Sequence, residues 1–168
     1  MGVVYRAHDR RSGAPVAIKL VLTSLDDATR IERFAREIRM LAEIEHPRIA
    51  RYVAHGTADD GQPYLAMTWL DGEDLASVLA RGPLSLADSR EVLRGAAEAL
   101  SAVHARGVVH RDLKPGNLFL RGCSASDLFL IDFGIARRLE NTTRVTASTA
   151  IVGTPRYMAP EQLLRGHP

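Results

Sequence analysis

Arg111, Asp112, Lys114 and Asn117 crowd into the stretch VVHRDLKPGNLFL, two cations, an anion and an amide set between apolar runs. Pro115-Gly116 breaks regular structure inside the stretch. The flanks, Val108-Val109 before and Leu118 to Leu120 after, read as short buried strands. A polar loop anchored at both ends in a core is where binding and catalytic groups tend to sit. The plainer alternative is a polar turn closed by an Asp112–Arg111 salt bridge. A second charged group of the same kind is Lys19, which emerges from the apolar run VAI and wants an anionic partner. The chemistry these residues offer is therefore that of placed charge.

Several elements must hold them. GVVYRAH and PVAIKLV read as two antiparallel strands joined by a turn in DRRSGA. From Asp26 the apolar period lengthens: Ile31, Phe34, Ile38 and Leu41 mark an amphipathic helix that His46-Pro47 ends. IARYVAHG and PYLAMTWL form another strand pair around the turn ADDGQ. EDLASVLA then predicts a short helix, followed by a longer one from about Leu86 to Arg106. Its core-facing stripe is expected at Leu93, Ala97, Leu100 and Val103 or His104, with Gly107 as its stop.

The chain has 168 residues, 46% of them hydrophobic, enough for a substantial core. With 22 basic against 20 acidic side chains, there is no electrostatic case for nucleic acid or a membrane surface. Cys123 is the lone cysteine, which excludes an internal disulfide or a cysteine-built zinc site and suits a reducing, cytoplasmic setting. No apolar run approaches a membrane span, and the N-terminus lacks a signal-peptide segment.

HRDLKPGN at His110 to Asn117, DFG at Asp132 to Gly134 and APE at Ala159 to Glu161 follow VAIK at Val16 to Lys19. In that order and spacing they resemble the catalytic signature of protein kinases, over nearly the whole chain. The resemblance implies an α+β, bilobal fold. Residues 1–70 would be a β-rich N-lobe with one main helix and the hinge, and 71–168 an incomplete, mainly helical C-lobe. It also implies roles. Asp112 would orient and deprotonate a substrate hydroxyl, and Lys114 would steady the transferring phosphate. Asn117 and Asp132 would hold magnesium, or manganese, which suits an amide and a carboxylate oxygen. Lys19 would contact the ATP phosphates, held by a glutamate of the N-lobe helix. Glu37 is the choice for that glutamate, at the edge of the apolar stripe; a solvated pair with Arg33 or Arg36 is its plainer reading, and Glu43 and Glu45 are alternatives.

For the base, the resemblance places Met67 behind the adenine pocket, Thr68, Trp69 and Leu70 in the hinge, and Val4, Ala17 and Phe119 as apolar walls. Asp74 would meet the ribose, although an acid at a helix start is favourable on dipole grounds alone. The glycine-rich loop is the departure: only Gly2 and Val4 remain, as its last Gly-x-Val, so part of the expected phosphate cover is missing.

Lys114 after Leu113, and Thr154 in GTPRYMAPE as a substrate-positioning residue, imply serine or threonine as acceptor. The wording of DFGIAR and YMAPEQ resembles the bacterial branch. Thr146, Ser148 and Thr149 are the expected autophosphorylation sites, with Arg111 ready to bind the added phosphate and a second copy of the chain as partner in that reaction. The remaining C-lobe helices of the family are expected beyond APEQLLRGHP, so the chain reads as a fragment of weak stability and low activity, with any membrane anchor in a segment outside it. Two rivals remain: a pseudokinase-like binder of nucleotide or partner without turnover, and a small-molecule kinase of the aminoglycoside-phosphotransferase type.

Overall fold

The computed structural model describes residues 3–20, 36, 38–40, 42–132 and 155–160. The expected site residues Gly2, Glu37, Thr146, Ser148, Thr149 and Thr154 lie outside them, as do Phe133, Gly134 and Glu161 of the motifs.

Strands β1 (Val4–His8), β2 (Pro15–Leu20), β3 (Tyr52–Thr57) and β4 (Pro63–Thr68) form one antiparallel sheet in the order β1-β2-β4-β3. The β1–β2 turn closes because Asp9 accepts from the backbone N–H groups of Arg11 and Ser12 and from the Ser12 hydroxyl, while Gly13 takes a positive φ of 70°. The β3–β4 turn closes in a similar way, with Asp60 accepting from the Gln62 N–H and Gly61 at a φ of 83°. Residues 36, 38–40 and 42 are helical, and the helix is over before His46-Pro47, as expected. Ile38 of its stripe is fully buried.

The second half builds another layer. Strands β5 (Gly72–Asp74), β6 (Leu118–Arg121) and β7 (Leu128–Leu130) form an antiparallel sheet, and α1 (Leu75–Ala80) and α2 (Leu86–His104) accompany it. EDLASVLA is thus part strand and part helix. Glu73 and Asp74 pair with β6, and the helix starts only after Asp74, whose carboxylate caps it. Gly72 tolerates no side chain: its φ is 153°, and a Cβ there would sit 2.1 Å from the Leu120 carbonyl oxygen.

Two expectations need correction. The buried face of α2 is Val92, Gly95, Ala96, Ala99 and Val103; of the expected stripe Val103 is buried and Leu100 packs against the core, but Leu93 (69% exposed) and Ala97 face away, their places taken by the residues one position before them. Small residues let the helix lie close to β7: a Cβ on Gly95 would come within 3.3 Å of Leu128 and 3.1 Å of the Arg48 guanidinium. The bulkier leucine stripe would hold the two apart. The run before the polar loop is also not a strand. α2 ends with Gly107 at a φ of 68°, bonded N–H to His104 C=O, and with Val108 N–H on Val103 C=O, a Schellman pair. That turn packs Val108 against the core and leaves Val109 54% exposed.

The core joins Ile44, Ile49, Leu75, Val92, Val103, Leu118, Leu120, Leu128 and Leu130 with the alanines of α2. Burial of each large member contributes about 1.5–3 kcal/mol. Ile44 and Ile49 come from the segment between the first helix and β3, so that segment belongs to the second layer. Leu130 N–H donates to Arg48 C=O (2.7 Å) and Ala50 N–H donates to Leu130 C=O (3.1 Å). Arg48 also reaches across Gly95 to Glu98 (2.5 Å) and to the Ser126 carbonyl (3.0 Å). Among the described residues, no helix is long and apolar enough to cross a membrane.

Candidate active site

The polar loop leaves α2 through His110, which is 2% exposed. The Asp112 N–H donates to the His110 carbonyl (2.9 Å) and, more distantly, to His110 Nδ1 (3.4 Å), which assigns the ring proton to Nε2, facing the Ile131 carbonyl at 3.3 Å. Burial holds the imidazole below its ordinary pKa of 6.5, the Ile131 carbonyl opposing only in part, and His110 is neutral. It thereby ties Asp112 to the residue preceding Asp132. Sequence reasoning quoted His110 within its motif but gave it no role; a histidine between an apolar run and an Arg-Asp pair was the available signal.

Beyond Asp112 the chain makes a 3-10 turn, Pro115–Asn117, entered from extended backbone at Lys114. Proline suits the first position because its missing N–H costs nothing there. The turn buries Asn117 to 4% exposure. Its amide donates to the Asp112 carbonyl (2.6 Å) and to Asp112 Oδ2 (3.1 Å). Lys114 Nζ donates to the same Oδ2 at 2.7 Å. One carboxylate oxygen of Asp112 is thus fixed by a cation and an amide. Asn117 C=O then accepts the Ile131 N–H (2.9 Å), which brings Asp132 next to the loop.

Asp132 meets Lys19 in an ion pair between the end of the second sheet and β2, with side chains 28% and 14% exposed. Lys19 was expected to pair with Glu37; its described partner is Asp132, and Glu37 is outside the described residues. Arg111 and Asp132 both adopt left-handed backbone, φ 62° and 58°, which costs a non-glycine residue about 1–2 kcal/mol. The bonds around His110 and Asn117 hold that strain at the site.

On the first sheet the register aligns Val4 with Lys19 and Lys19 with Leu65, and Ala17 with both Arg6 and Met67. Cross-strand partners share a face, so Val4, Ala17 and Met67 lie on the Lys19 face, where an apolar base could rest. On the second sheet Phe119 pairs with Asp74 and Phe129, opposite the core face of Leu118, Leu120, Leu128 and Leu130. In the hinge, Thr68 N–H donates to Arg51 C=O (2.9 Å) and Trp69 N–H to Pro15 C=O (3.3 Å). The Leu70 N–H makes no hydrogen bond among the described residues. Asp74 has both oxygens engaged by Ser77, by its N–H at 3.0 Å and its hydroxyl at 2.9 Å, so its observed work is that of a helix cap.

Among the described residues no three His, Cys, Asp or Glu side chains cluster as a metal cage. Besides the Asp112 carboxylate, which Lys114 and Asn117 already engage, the oxygens near the loop are the carboxylate of Asp132 and the amide carbonyl of Asn117. That sparse set fits magnesium, which keeps several waters and takes phosphate oxygens alongside one or two protein ligands.

The Lys19–Asp132 ion pair links the two sheets, and the Ile131–Asn117 bond sets Asp132 next to the loop that carries Asp112. The protein kinase domain model matches residues 1–168, and the chain belongs to that family. Within it, the chain is 39% identical over 166 residues to the serine/threonine-protein kinase pkn2 of Myxococcus xanthus, covering 96% of this chain and 20% of that protein. Among solved structures, the PknI kinase domain of M. tuberculosis superposes with a TM-score of 0.70 at 31% identity, covering 80% of this chain and 54% of that one. The complex of Rad53 1-466 with AMP-PNP gives a TM-score of 0.69 at 28% identity, covering 80% of this chain and 35% of the other. The chain spans about a fifth of pkn2 and about half of the PknI domain. The fold is thus the α+β kinase fold, present in part, as the motifs implied.

Proposed function

We propose that this chain carries the nucleotide site and catalytic loop of a bacterial serine/threonine protein kinase, which moves the γ-phosphoryl group of ATP to a Ser or Thr hydroxyl of a protein. The observation that carries the reading is the convergence of Lys19 from β2 and Asp132 from the end of β7 beside a carboxylate held by Lys114 and Asn117. Rad53 1-466, which shares the fold, is known in complex with AMP-PNP.

In the reaction the bond from the γ-phosphorus to the β-bridging oxygen breaks, a bond to the acceptor oxygen forms, ADP leaves, and the acceptor proton passes to Asp112. Asp112 is prepared for this because Lys114 and Asn117 fix one of its oxygens and orient the other. Lys114, held on the Asp112 carboxylate, would steady the phosphoryl oxygens. Asn117 and Asp132 would hold a divalent cation, magnesium or manganese, which supplies charge neutralisation at the phosphates. Lys19 and Asp132 neutralise each other in their ion pair. Binding exchanges that pair, giving Lys19 to the phosphates and Asp132 to the cation. Leu70 offers its N–H to the base, between Val4 and Ala17 above and Phe119 below, with Met67 behind. The division into lobes 1–70 and 71–168, Glu37 as the further partner of Lys19, and Thr154 as a substrate-positioning residue belong to the same reading. So do control through Thr146, Ser148, Thr149 and Arg111, self-association for autophosphorylation, and a cytoplasmic site of action.

The test is transfer of labelled phosphate from ATP with magnesium, beside Asp112→Asn, with the acceptors mapped by mass spectrometry. Loss of a general base and positioning group lowers the rate on the order of 10²–10⁴. Incorporation that survives unchanged in Asp112→Asn would sink the assignment. Nucleotide binding without any incorporation would favour a non-catalytic binder instead.

A further inference from the structure

One feature at the outer end of the cleft is not used by the chemistry above. The Arg6 guanidinium carbon lies 5.1 Å from the centroid of the Trp69 ring, within reach of a cation–π contact. The indole is fixed in place, since its Nε1–H donates to Asp71 Oδ1 at 2.8 Å. The Asp71 carbonyl in turn accepts the Gly122 N–H at 2.8 Å. A continuous strap therefore runs from β1 through Trp69 and Asp71 to the turn after β6.

Its position has consequences. Arg6 pairs with Ala17, two residues along β1 from the Val4–Lys19 pair, so it sits about 7 Å along the strand from the phosphate end of the cleft. Ala17 pairs onward with Met67, which places Arg6 in the row beside the base site. β1 is the edge of its sheet, and Val3, Val4 and Tyr5 are about half exposed. On one side its ladder to β2 holds it. The stack on Trp69 is a second, independent hold at the hinge end.

We propose that Arg6 and Trp69 form a clasp that closes the edge strand β1 onto the hinge over the base of a bound purine nucleotide, and so slows the nucleotide's release. The inference rests on the nucleotide-site reading above. A cation–π contact in a largely exposed position changes an equilibrium about two- to five-fold, and the effect falls on dissociation because the clasp must open before the base can leave.

Trp69 is the sole tryptophan of the chain, so it reports on its own contact and serves as energy donor to a bound fluorescent nucleotide. The experiment loads the chain with magnesium and N-methylanthraniloyl-ADP, chases with excess unlabelled ADP in a stopped-flow instrument, and compares Arg6→Gln, Arg6→Lys, Trp69→Leu and the double variant Arg6→Gln/Trp69→Leu. For Trp69→Leu and the double variant, the nucleotide fluorophore is excited directly. Arg6→Gln is expected to speed release about two- to five-fold and Arg6→Lys less, with the double variant no faster than the faster single one. In the absence of nucleotide, Arg6→Gln is expected to change the Trp69 emission. Release at the parent rate in Arg6→Gln, additive effects in the double variant, or unchanged emission would each refute the clasp while leaving the nucleotide site standing. A parent chain that takes up no labelled ADP at all would refute the nucleotide-site reading and the clasp with it.

Discussion

The buried neutral His110 makes the stability of the second layer depend on pH in a defined window. Burial holds its native pKa below the ordinary 6.5. Below pH 6.5 the unfolded chain therefore binds a proton that the native state refuses, and stability falls with falling pH. Its contribution is fully present above 6.5 and is lost as pH drops towards the native pKa. The loss is bounded by protonation of the unfolded ring, at most about 1.4 kcal/mol at pH 5.5 and under about 0.1 at pH 7.5. For a chain of this length that corresponds to roughly 3–6 °C in Tm. The assay is thermal unfolding of the parent and of His110→Gln at half-unit steps from pH 7.5 to 5.5. The variant starts lower, because the Ile131 carbonyl and the Asp112 N–H lose a partner. That offset is constant in pH, and the other histidines are common to both proteins and cancel. The parent's advantage should therefore shrink as the pH falls. Parallel curves across the window would refute the claim that His110 is buried and neutral.

The orientation of α2 is tested by Leu128→Ala, expected to cost about 2–5 kcal/mol in urea unfolding, beside Leu93→Ala, expected to stay within about 0.5 kcal/mol. Gly72→Ala is expected to destabilise by about 1–3 kcal/mol from backbone strain alone, with more from the approach to Leu120; unchanged unfolding would show that the β5–β6 contact is looser than described. Asn117→Ala should lower phosphoryl transfer and raise the magnesium concentration for half-maximal rate. A variant that lost rate with no change in magnesium dependence would confine Asn117 to orienting Asp112.

The motifs made the family legible because catalysis of its kind asks for particular residue types at particular spacings, and HRDLKPGN, VAIK and DFG carry that pattern in the sequence. The hairpins were legible for a similar reason, since Asp9 and Gly13, and Asp60 and Gly61, do local work that local sequence encodes. The face of α2 was not. Leu93 and Val92 are adjacent, both stripes have helical spacing, and the choice is made by how near Gly95, Ala96 and Ala99 let the helix approach Leu128. Nor could periodicity say that Ile44 and Ile49 leave the first layer for the core of the second. That depends on a two-way hydrogen bond between Arg48, Ala50 and Leu130, residues far apart in the chain.

The anchoring of the polar loop follows from these same facts. Two buried apolar strands were expected to grip it, yet on the upstream side Val109 is exposed and only β6 is a strand. What replaces the missing strand is polar. The backbone of Ile131 bonds His110 with its carbonyl and Asn117 with its N–H, so a single residue of the strand exit holds both ends of the loop. Arg111 and Asp132, both left-handed, follow directly in sequence on the two residues so joined, His110 and Ile131. Such strain persists only where neighbouring bonds over-determine it. His110→Gln should therefore weaken more than stability. With the Ile131 carbonyl released, Asp132 is free to leave its strained conformation, and the Lys19 ion pair should loosen with it. Backbone amide exchange at Asp112 and Asp132, measured at pH 7.5 where protonation plays no part, should then accelerate in His110→Gln more than at Leu128. Uniform acceleration across the second sheet would mean that His110 contributes only general stability and has no special hold on the site.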